Sequence, residues 1–189
     1  MGKIYTALGL MSGTSMDGVD ASIIKSDGDR EYSIKIDEYF EYGGELRQKL
    51  INIREKVLVI DDLKTHSDEI KSLEKEITLF HANAVNKILK TSKIEIDLIG
   101  FHGQTIFHDP SINITKQLGD GNMLSQLTKK LVVYDFRQND LKNGGQGAPL
   151  APIYHYLLVK TFKEKGTIKI PTIILNIGGI ANITSINES

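Results

Sequence analysis

The feature that most constrains the fold of this chain is the stretch from Gly9 to Ala21, which reads GLMSGTSMDGVDA. Apolar runs on both sides of it have the composition of β-strands, and the polar residues between them are typical of tight turns. Glycine permits backbone conformations that are closed to other residues, so the main-chain amides of such a turn can converge on an anion. The stretch therefore predicts a β-hairpin whose loop can hold a phosphate group.

The predicted loop also carries hydroxyl groups, including that of Ser12, and one carboxylate, Asp17. A carboxylate beside a phosphate needs a cation between them, and Mg²⁺ bound through carboxylate and water supplies it. We therefore expect metal and nucleotide chemistry here, with Asp17 at the metal. An ordinary hairpin turn has a similar composition. Three further motifs in the sequence favour the phosphate-binding loop over an ordinary turn. The residues expected to contact the nucleotide are Gly13, Thr14, Ser15, Met16, Asp17, Gly18, Val19 and Asp20.

Composition limits the classes of partner. The chain has 189 residues, of which 40% are hydrophobic, and this suffices for a real core. Its 23 basic and 24 acidic residues leave a formal charge of −1, so no overall field attracts nucleic acid or an anionic membrane. The chain has no cysteine and no apolar stretch long enough to span a bilayer. We expect a cytoplasmic protein with a small-molecule substrate, and neither nucleic acid nor membrane as partner.

The order of predicted elements indicates an α/β fold. Three strands form an antiparallel meander, helices of amphipathic spacing follow, and short apolar strands alternate with further helices. This order resembles the ribonuclease-H-like half of the actin, hexokinase and chaperone-ATPase superfamily, a mixed sheet with flanking helices. The predicted strands are 4–11, 19–26, 32–40, 96–101, 131–134 and 173–177, and the predicted helices are 46–53, 62–91 and one from about 150 to 163.

A second motif, FHGQTIFHDP at residues 101–110, places polar side chains where a strand is predicted to end. Ligands of open α/β sheets lie outside the carboxyl ends of the strands. Imidazole and amide groups can both donate and accept hydrogen bonds, so His102 and Gln104 are expected to bind a polar substrate. The alternative, a metal site formed by His102, His108 and Asp109, is disfavoured because no helix orients these three ligands.

The third motif covers residues 132–152, where Asp135 and Asp140 bracket Arg137 after a predicted strand. A carboxylate whose position is fixed by a neighbouring guanidinium suits a general base. We expect one of the two aspartates to take a proton from a hydroxyl group or water, and the residues alone leave open which one. The glycine-rich loop that follows is expected to contact substrate through Gly144, Gly145 and Gln146.

The fourth motif, ILNIGGIANIT at residues 174–184, repeats the pattern of the first. An apolar strand leads into paired glycines, and a second apolar strand follows. Two such hairpins could hold one triphosphate from opposite sides. The residues expected to face the nucleotide are Gly178, Gly179 and Asn182.

Together with QLGDGNML at residues 117–124, these four motifs resemble the anhydro-N-acetylmuramic acid kinase family over essentially the whole chain. The resemblance implies an enzyme that uses ATP and Mg²⁺ to open 1,6-anhydro-N-acetylmuramic acid with water and to phosphorylate the oxygen at carbon 6. It implies that Asp135 is the base, with Asp140 as second choice. It also implies that Arg137, His102, Gln104 and the loop 144–149 line the sugar pocket.

Members of this family are about twice as long as this chain. The resemblance therefore implies that residues 1–170 form an N-terminal lobe and that residues 171–189 form the first hairpin of a second lobe. We expect a fragment, a disrupted gene product or a separately encoded half, with little kinase activity alone because half of the closing cleft is missing. A homodimer or a complementing C-terminal half are the expected protein partners. Two alternatives stay open, namely an ATP-independent sugar hydrolase and a non-catalytic sugar-binding half.

Overall fold

The computed structural model describes residues 2–29, 31–178 and 180–187. It begins with the predicted antiparallel meander, which is confirmed as β1 (Tyr5–Ser12), β2 (Gly18–Ser26) and β3 (Tyr32–Glu41). Met11 pairs with Asp20 at the end of the first hairpin, so the residues between β1 and β2 form its loop. The buried side chains of Leu8 and Leu10 anchor β1 in the core.

The central sheet is mixed, with the strand order β3-β2-β1-β4. Strand β4 (Leu98–Asp109) runs parallel to β1, and its first half also pairs in parallel with β6 (Leu131–Tyr134). Its second half pairs in antiparallel fashion with β5 (Ile114–Leu118). Parallel neighbours need crossover connections, and helices provide them between β3 and β4 and between β5 and β6.

The crossover helices are α1 (Gly44–Lys56), α2 (Ile60–Thr65), α3 (Ser67–Ser92) and α4 (Gly121–Thr128). Helix α3 packs an apolar face against the core, as its spacing predicts. The single helix predicted at 62–91 is wrong at its beginning, because the chain is interrupted at His66. The Asp62 carboxylate accepts hydrogen bonds from the amides of Leu58 and Val59 and so starts a separate short helix.

Strand β4 is longer than predicted, and this changes the setting of the second motif. The predicted strand end after Phe101 is wrong, so His102 and Gln104 lie within β4 and not beyond it. The pairing shifts by one residue between β1 and β4, which is a β-bulge beside His102. Gly103 has a φ of +73°, and a Cβ there would lie 2.2 Å from the Leu118 carbonyl oxygen. Glycine therefore lets the strand continue to Asp109 as the partner of β5.

Beyond β6 the chain forms α5 (Phe136–Lys142), which the sequence analysis does not predict, and α6 (Pro152–Glu164), which it does. A single 3₁₀ turn, Pro110–Ile112, joins β4 to β5. The last predicted hairpin is confirmed as β7 (Thr172–Asn176) and β8 (Asn182–Ile186), a separate two-stranded sheet. Within the described ranges, no helix combines the length and apolar character needed to cross a membrane.

Neighbouring positions on α3 offer a matched test of the core. Ile77 is fully buried, whereas Leu79 is 40% exposed. We expect Ile77→Ala to lower the free energy of unfolding by about 2–5 kcal/mol, since it leaves a cavity. Leu79→Ala should change it by about 0.5 kcal/mol or less. Urea unfolding followed by circular dichroism measures both, and equal losses would contradict the packing described.

Candidate functional site

The first hairpin and Asp135 lie at the same edge of the central sheet. Strands β1 and β6 both run parallel to β4, so their carboxyl ends point the same way. Ser12, the last residue of β1, is opposite Gln104, and Tyr134, the last residue of β6, is opposite Phe101. The hairpin loop and Asp135 therefore lie on opposite sides of β4 beside its bulge, about 10 Å apart across the sheet and offset along it, since their strands end opposite Gln104 and Phe101.

The hairpin loop is held from three sides. The Gln104 side-chain amide donates to the Gly13 carbonyl oxygen at 3.0 Å, and Arg54 on α1 donates to the Thr14 carbonyl oxygen at 3.0 Å. The Tyr42 amide, just after β3, donates to the Asp17 carbonyl oxygen at 2.8 Å. Met16 has a φ of 53° and a fully buried side chain, so it pins the loop to the core. The loop thus has a fixed shape.

The carboxylates near this loop suit a magnesium ion. Asp17 accepts a hydrogen bond from the Ser15 hydroxyl at 2.6 Å. Burial raises the pKa of Asp20, and the negative charge of Asp17 adds to the rise. Mg²⁺ is commonly held by one or two carboxylates, with water and phosphate oxygens completing the octahedron. Asp17 and Asp20 match this donor set.

A cavity of about 310 Å³ opens beside the bulge of β4, and Asp135 and His102 both line it. Asp135 follows β6 with a φ of 60°, a backbone conformation that costs free energy outside glycine. Among the residues that the structure describes, its carboxylate has no hydrogen-bond partner. The other lining residues are Phe101, Thr115, Lys116, Gln117, Gly119, Tyr134 and Gln138.

Arg137 fixes the ring of His102. Its Nε donates to His102 Nε2 at 2.9 Å, so the proton of the neutral imidazole is on Nδ1, which donates to the Gly103 carbonyl oxygen at 2.7 Å. Burial, assisted by the Arg137 charge, lowers the pKa of His102 to about 4. His102 is therefore neutral at physiological pH, and its Nε2 lone pair is already engaged.

The expected ion pair between Arg137 and an aspartate is not formed among the described residues. Arg137 Nη1 instead donates to the Gly147 carbonyl oxygen at 2.6 Å, because α5 turns this side chain toward β4. Asp140 Oδ2 accepts from the Gly147 amide at 2.7 Å, and a Cβ on Gly145 would lie 2.2 Å from the same oxygen. Asp140 thus holds the glycine-rich loop, in which Gly144 and Gln146 are exposed.

Other predicted residues lie away from the cavity of Asp135 or outside the described part of the chain. Gln104 is fully buried, with its amide on the hairpin and not in the cavity. Gly178 and Asn182 lie at the β7–β8 hairpin, where Asn182 Oδ1 is buried without a partner among the described atoms. Gly179 lies outside the described residues. The disfavoured metal site is not formed, since no group of three or more potential ligands converges in the described part of the chain.

Several residues at this edge are missed by the sequence analysis. Tyr42 and Arg54 reach the hairpin from elements 30 or more positions away in the chain, and no local pattern marks them. Gln117 is the first residue of the QLGDGNML motif and Lys116 directly precedes it, and the motif has no polar pattern that assigns either residue a role. Gln138 is missed because α5 is not predicted, although one helical turn places it beside the Asp135 end of the cavity.

The sheet order, the crossover helices and the hairpin at the sheet edge define the ribonuclease-H-like fold of the actin-like ATPases. Comparison with known proteins gives the family. The family model for anhydro-N-acetylmuramic acid kinase, AnmK, matches residues 5–188. The chain therefore belongs to the anhydro-N-acetylmuramic acid kinase family.

Curated relatives carry the same family name. One from Pelagibacter ubique (strain HTCC1062) is 58% identical over 184 residues, which are 97% of this chain and 48% of the relative. One from Agrobacterium fabrum is 40% identical over 191 residues, which are 100% of this chain and 51% of the relative. One from Rhizobium etli is 41% identical over 189 residues, which are 98% of this chain and 50% of the relative. The chain thus spans about half the length of the curated relatives it matches.

The contact between Arg137 and His102 can be tested by NMR titration of the histidine ring protons. We expect Arg137→Met to raise the pKa of His102 above its value of about 4, because the adjacent cation is lost. The pKa should stay below the ordinary 6.5 because burial remains. Lys116→Met is the control, since Lys116 lines the same cavity but pairs with Glu74 at 2.6 Å. An unchanged pKa in Arg137→Met would contradict this geometry.

Proposed function

We propose that this chain supplies the sugar site and one phosphate hairpin of an ATP-dependent kinase that acts on 1,6-anhydro-N-acetylmuramic acid in peptidoglycan recycling. The observation that carries the proposal is the shared sheet edge. A hairpin suited to phosphate and magnesium lies on one side of the β4 bulge, and on the other lies a cavity lined by Asp135, whose carboxylate has no hydrogen-bond partner among the described residues. Phosphoryl transfer depends mainly on such positioning and on charge neutralisation.

In the proposed reaction, Asp135 takes a proton from a water molecule as the water oxygen attacks the anomeric carbon of the sugar. The bond from that carbon to oxygen 6 breaks, and oxygen 6 keeps the electron pair. Oxygen 6 then forms a bond to the γ-phosphorus of ATP, and the bond from this phosphorus to ADP breaks. The products are N-acetylmuramic acid 6-phosphate, ADP and the proton taken by Asp135.

The remaining site residues have supporting roles in this proposal. His102, held neutral by burial and Arg137, forms part of the pocket wall, because both of its ring nitrogens are already bonded to protein, and the loop 144–147 closes that wall. Asp17 and Asp20 would hold Mg²⁺ near the hairpin, where the ion would supply positive charge against the phosphate oxygens. The loop amides that make no bond within the hairpin would contact the phosphates; the Met16 amide is not among them, because it donates to the Gly13 carbonyl oxygen. Asp140 is the second choice as base, disfavoured because its carboxylate is bonded to the Gly147 amide.

The second hairpin extends the proposal to the organisation of the chain. A two-stranded sheet alone is marginally stable, and β7–β8 leaves Ile173, Leu175 and Ile183 each more than half exposed. We propose that residues 1–170 form one lobe and that 171–189 begin a second, nucleotide-facing lobe through Gly178, Gly179 and Asn182. A complementing half or a second copy would cover these strands. The compartment consistent with this metabolism is the cytoplasm.

The test is an assay of residues 1–189 with 1,6-anhydro-N-acetylmuramic acid, ATP and Mg²⁺ in H₂¹⁸O. It is run with and without the half of the Pelagibacter ubique relative that this chain does not match, added as a separate polypeptide. We expect a product that carries one phosphate and one ¹⁸O atom. The chain alone should form this product slowly because the closing cleft is incomplete, and addition of the other half should make its formation faster. Mass spectrometry and ³¹P NMR detect both labels.

The outcomes separate the alternatives. Ring opening without ATP would contradict the kinase and favour a sugar hydrolase. Sugar binding without chemistry under either condition would favour a non-catalytic binding half. Turnover by the chain alone at the rate of a whole relative would contradict the predicted low activity.

The identity of the base is tested by two isosteric variants. We expect Asp135→Asn to lower kcat by about 10²–10⁴-fold with little change in KM for the sugar, since an amide cannot take the proton. Asp140→Asn should have a smaller effect on kcat, because its contacts are with the loop. A raised sugar KM with unchanged kcat in Asp135→Asn would place Asp135 in sugar binding and contradict its role as base.

A further inference from the structure

Three buried side chains form a directed chain of hydrogen bonds beneath the first hairpin. The Tyr42 hydroxyl donates to Ser12 Oγ at 2.9 Å, and Ser12 Oγ donates to Gln104 Oε1 at 2.5 Å. Gln104 Nε2 in turn donates to the Gly13 carbonyl oxygen at 3.0 Å. Tyr42, Ser12 and Gln104 are exposed by 3%, 1% and 0%, respectively. Hydrogen bonds linked in this way strengthen one another in a low dielectric.

The same residues hold the loop at both ends. Gln104 fixes the carbonyl at its start, Gly13, while the backbone amide of Tyr42 fixes the carbonyl of Asp17 near its end. Tyr42 therefore contributes a main-chain contact to one end and, through Ser12 and Gln104, a side-chain contact to the other. Its ring is anchored in turn by an edge-to-face contact with Phe80, with centroids 4.8 Å apart.

The bulge in β4 explains how two nearby residues serve different sites. His102 lies at the extra residue of the bulge and lines the cavity, whereas Gln104 resumes the regular pairing opposite Ser12. Gln104 has both polar atoms of its amide bonded to protein and does not line the cavity. A side chain in this position reaches the hairpin and not a sugar in the cavity.

We propose that Gln104, Ser12 and Tyr42 are positioning residues for the phosphate hairpin, and that Gln104 affects the reaction through the Gly13 carbonyl and not by contacting the sugar. The proposal rests on the proposed function for its kinetic consequences, and it replaces the expectation that Gln104 binds substrate. Its structural part, that these side chains set the shape of the loop, does not depend on any ligand and can be tested in the ligand-free chain.

The structural part is tested by hydrogen exchange of the loop amides, residues 12–17, in the ligand-free chain. In Gln104→Glu neither carboxylate oxygen can donate to Gly13, and in the milder Tyr42→Phe the donor to Ser12 is lost. We expect exchange of the loop to become about tenfold faster in both. Gln48→Glu on the exposed face of α1 and Tyr156→Phe on α6 are the matched controls, and both should exchange like the parent chain.

The kinetic part uses the assay with the complementing half. Both variants should raise the KM for MgATP about 10- to 100-fold, while the KM for the sugar stays within about twofold. A raised sugar KM in Gln104→Glu with unchanged loop exchange would overturn the proposal and return Gln104 to the sugar site. Unchanged exchange in Tyr42→Phe would overturn it independently of any activity. If no kinase activity is found, faster loop exchange still supports the positioning role, and the failure is that of the proposed function.

Discussion

The hydrogen bond from the Gln104 side chain to the Gly13 carbonyl joins the two halves of the site. It runs from the middle of the sheet to the loop that is proposed to hold phosphate, and its donor, the Gln104 side chain, is fully buried. The bulge beside His102 makes it possible, because one extra residue in β4 lets His102 face the cavity while Gln104 pairs with β1. The bulge therefore lets one strand, β4, contribute residues to both the hairpin and the cavity.

Charge is arranged around this support in a consistent way. The cation of Arg137 lies behind His102 and is bonded to an imidazole and a carbonyl, so it lowers the pKa of the imidazole without neutralising an acid. The acids stand at the two flanks, with Asp17 and Asp20 at the hairpin and Asp135 at the cavity. Such a separation suits a reaction in which a metal-bound phosphate and a proton acceptor act on the two ends of the one carbon–oxygen bond that breaks.

Much of this could be predicted from the sequence because the signals were local. Strand composition with glycine-rich turns identified both hairpins, and the position of Asp135 directly after β6 followed from the apolar run before it. Local patterns could not show that β4 continues past Phe101, since this depends on its pairing with β5 and on the left-handed conformation of Gly103. They also could not show that Arg137 contacts His102 and not an aspartate, because a short helix, α5, sets that direction.

Local sequence patterns also could not show that Tyr42 contacts the first hairpin. Its hydroxyl and its amide act on a loop some 30 residues earlier in the chain, and only the meander brings them together. Tertiary contacts of this kind decide which of several plausible polar residues face a ligand. They bond both polar atoms of the Gln104 side-chain amide to Ser12 and to the Gly13 carbonyl oxygen.

In the proposed enzyme the first hairpin and the cavity of Asp135 serve one reaction at one sheet edge. Paramagnetic broadening of NMR signals by Mn²⁺ bound with ATP can test this, because the broadening depends on distance from the metal. We expect the ring signals of His102 and the side-chain amide of Gln138 to broaden, and Asp17→Asn to remove the effect. Broadening confined to signals away from this edge, or broadening that persists in Asp17→Asn, would contradict it.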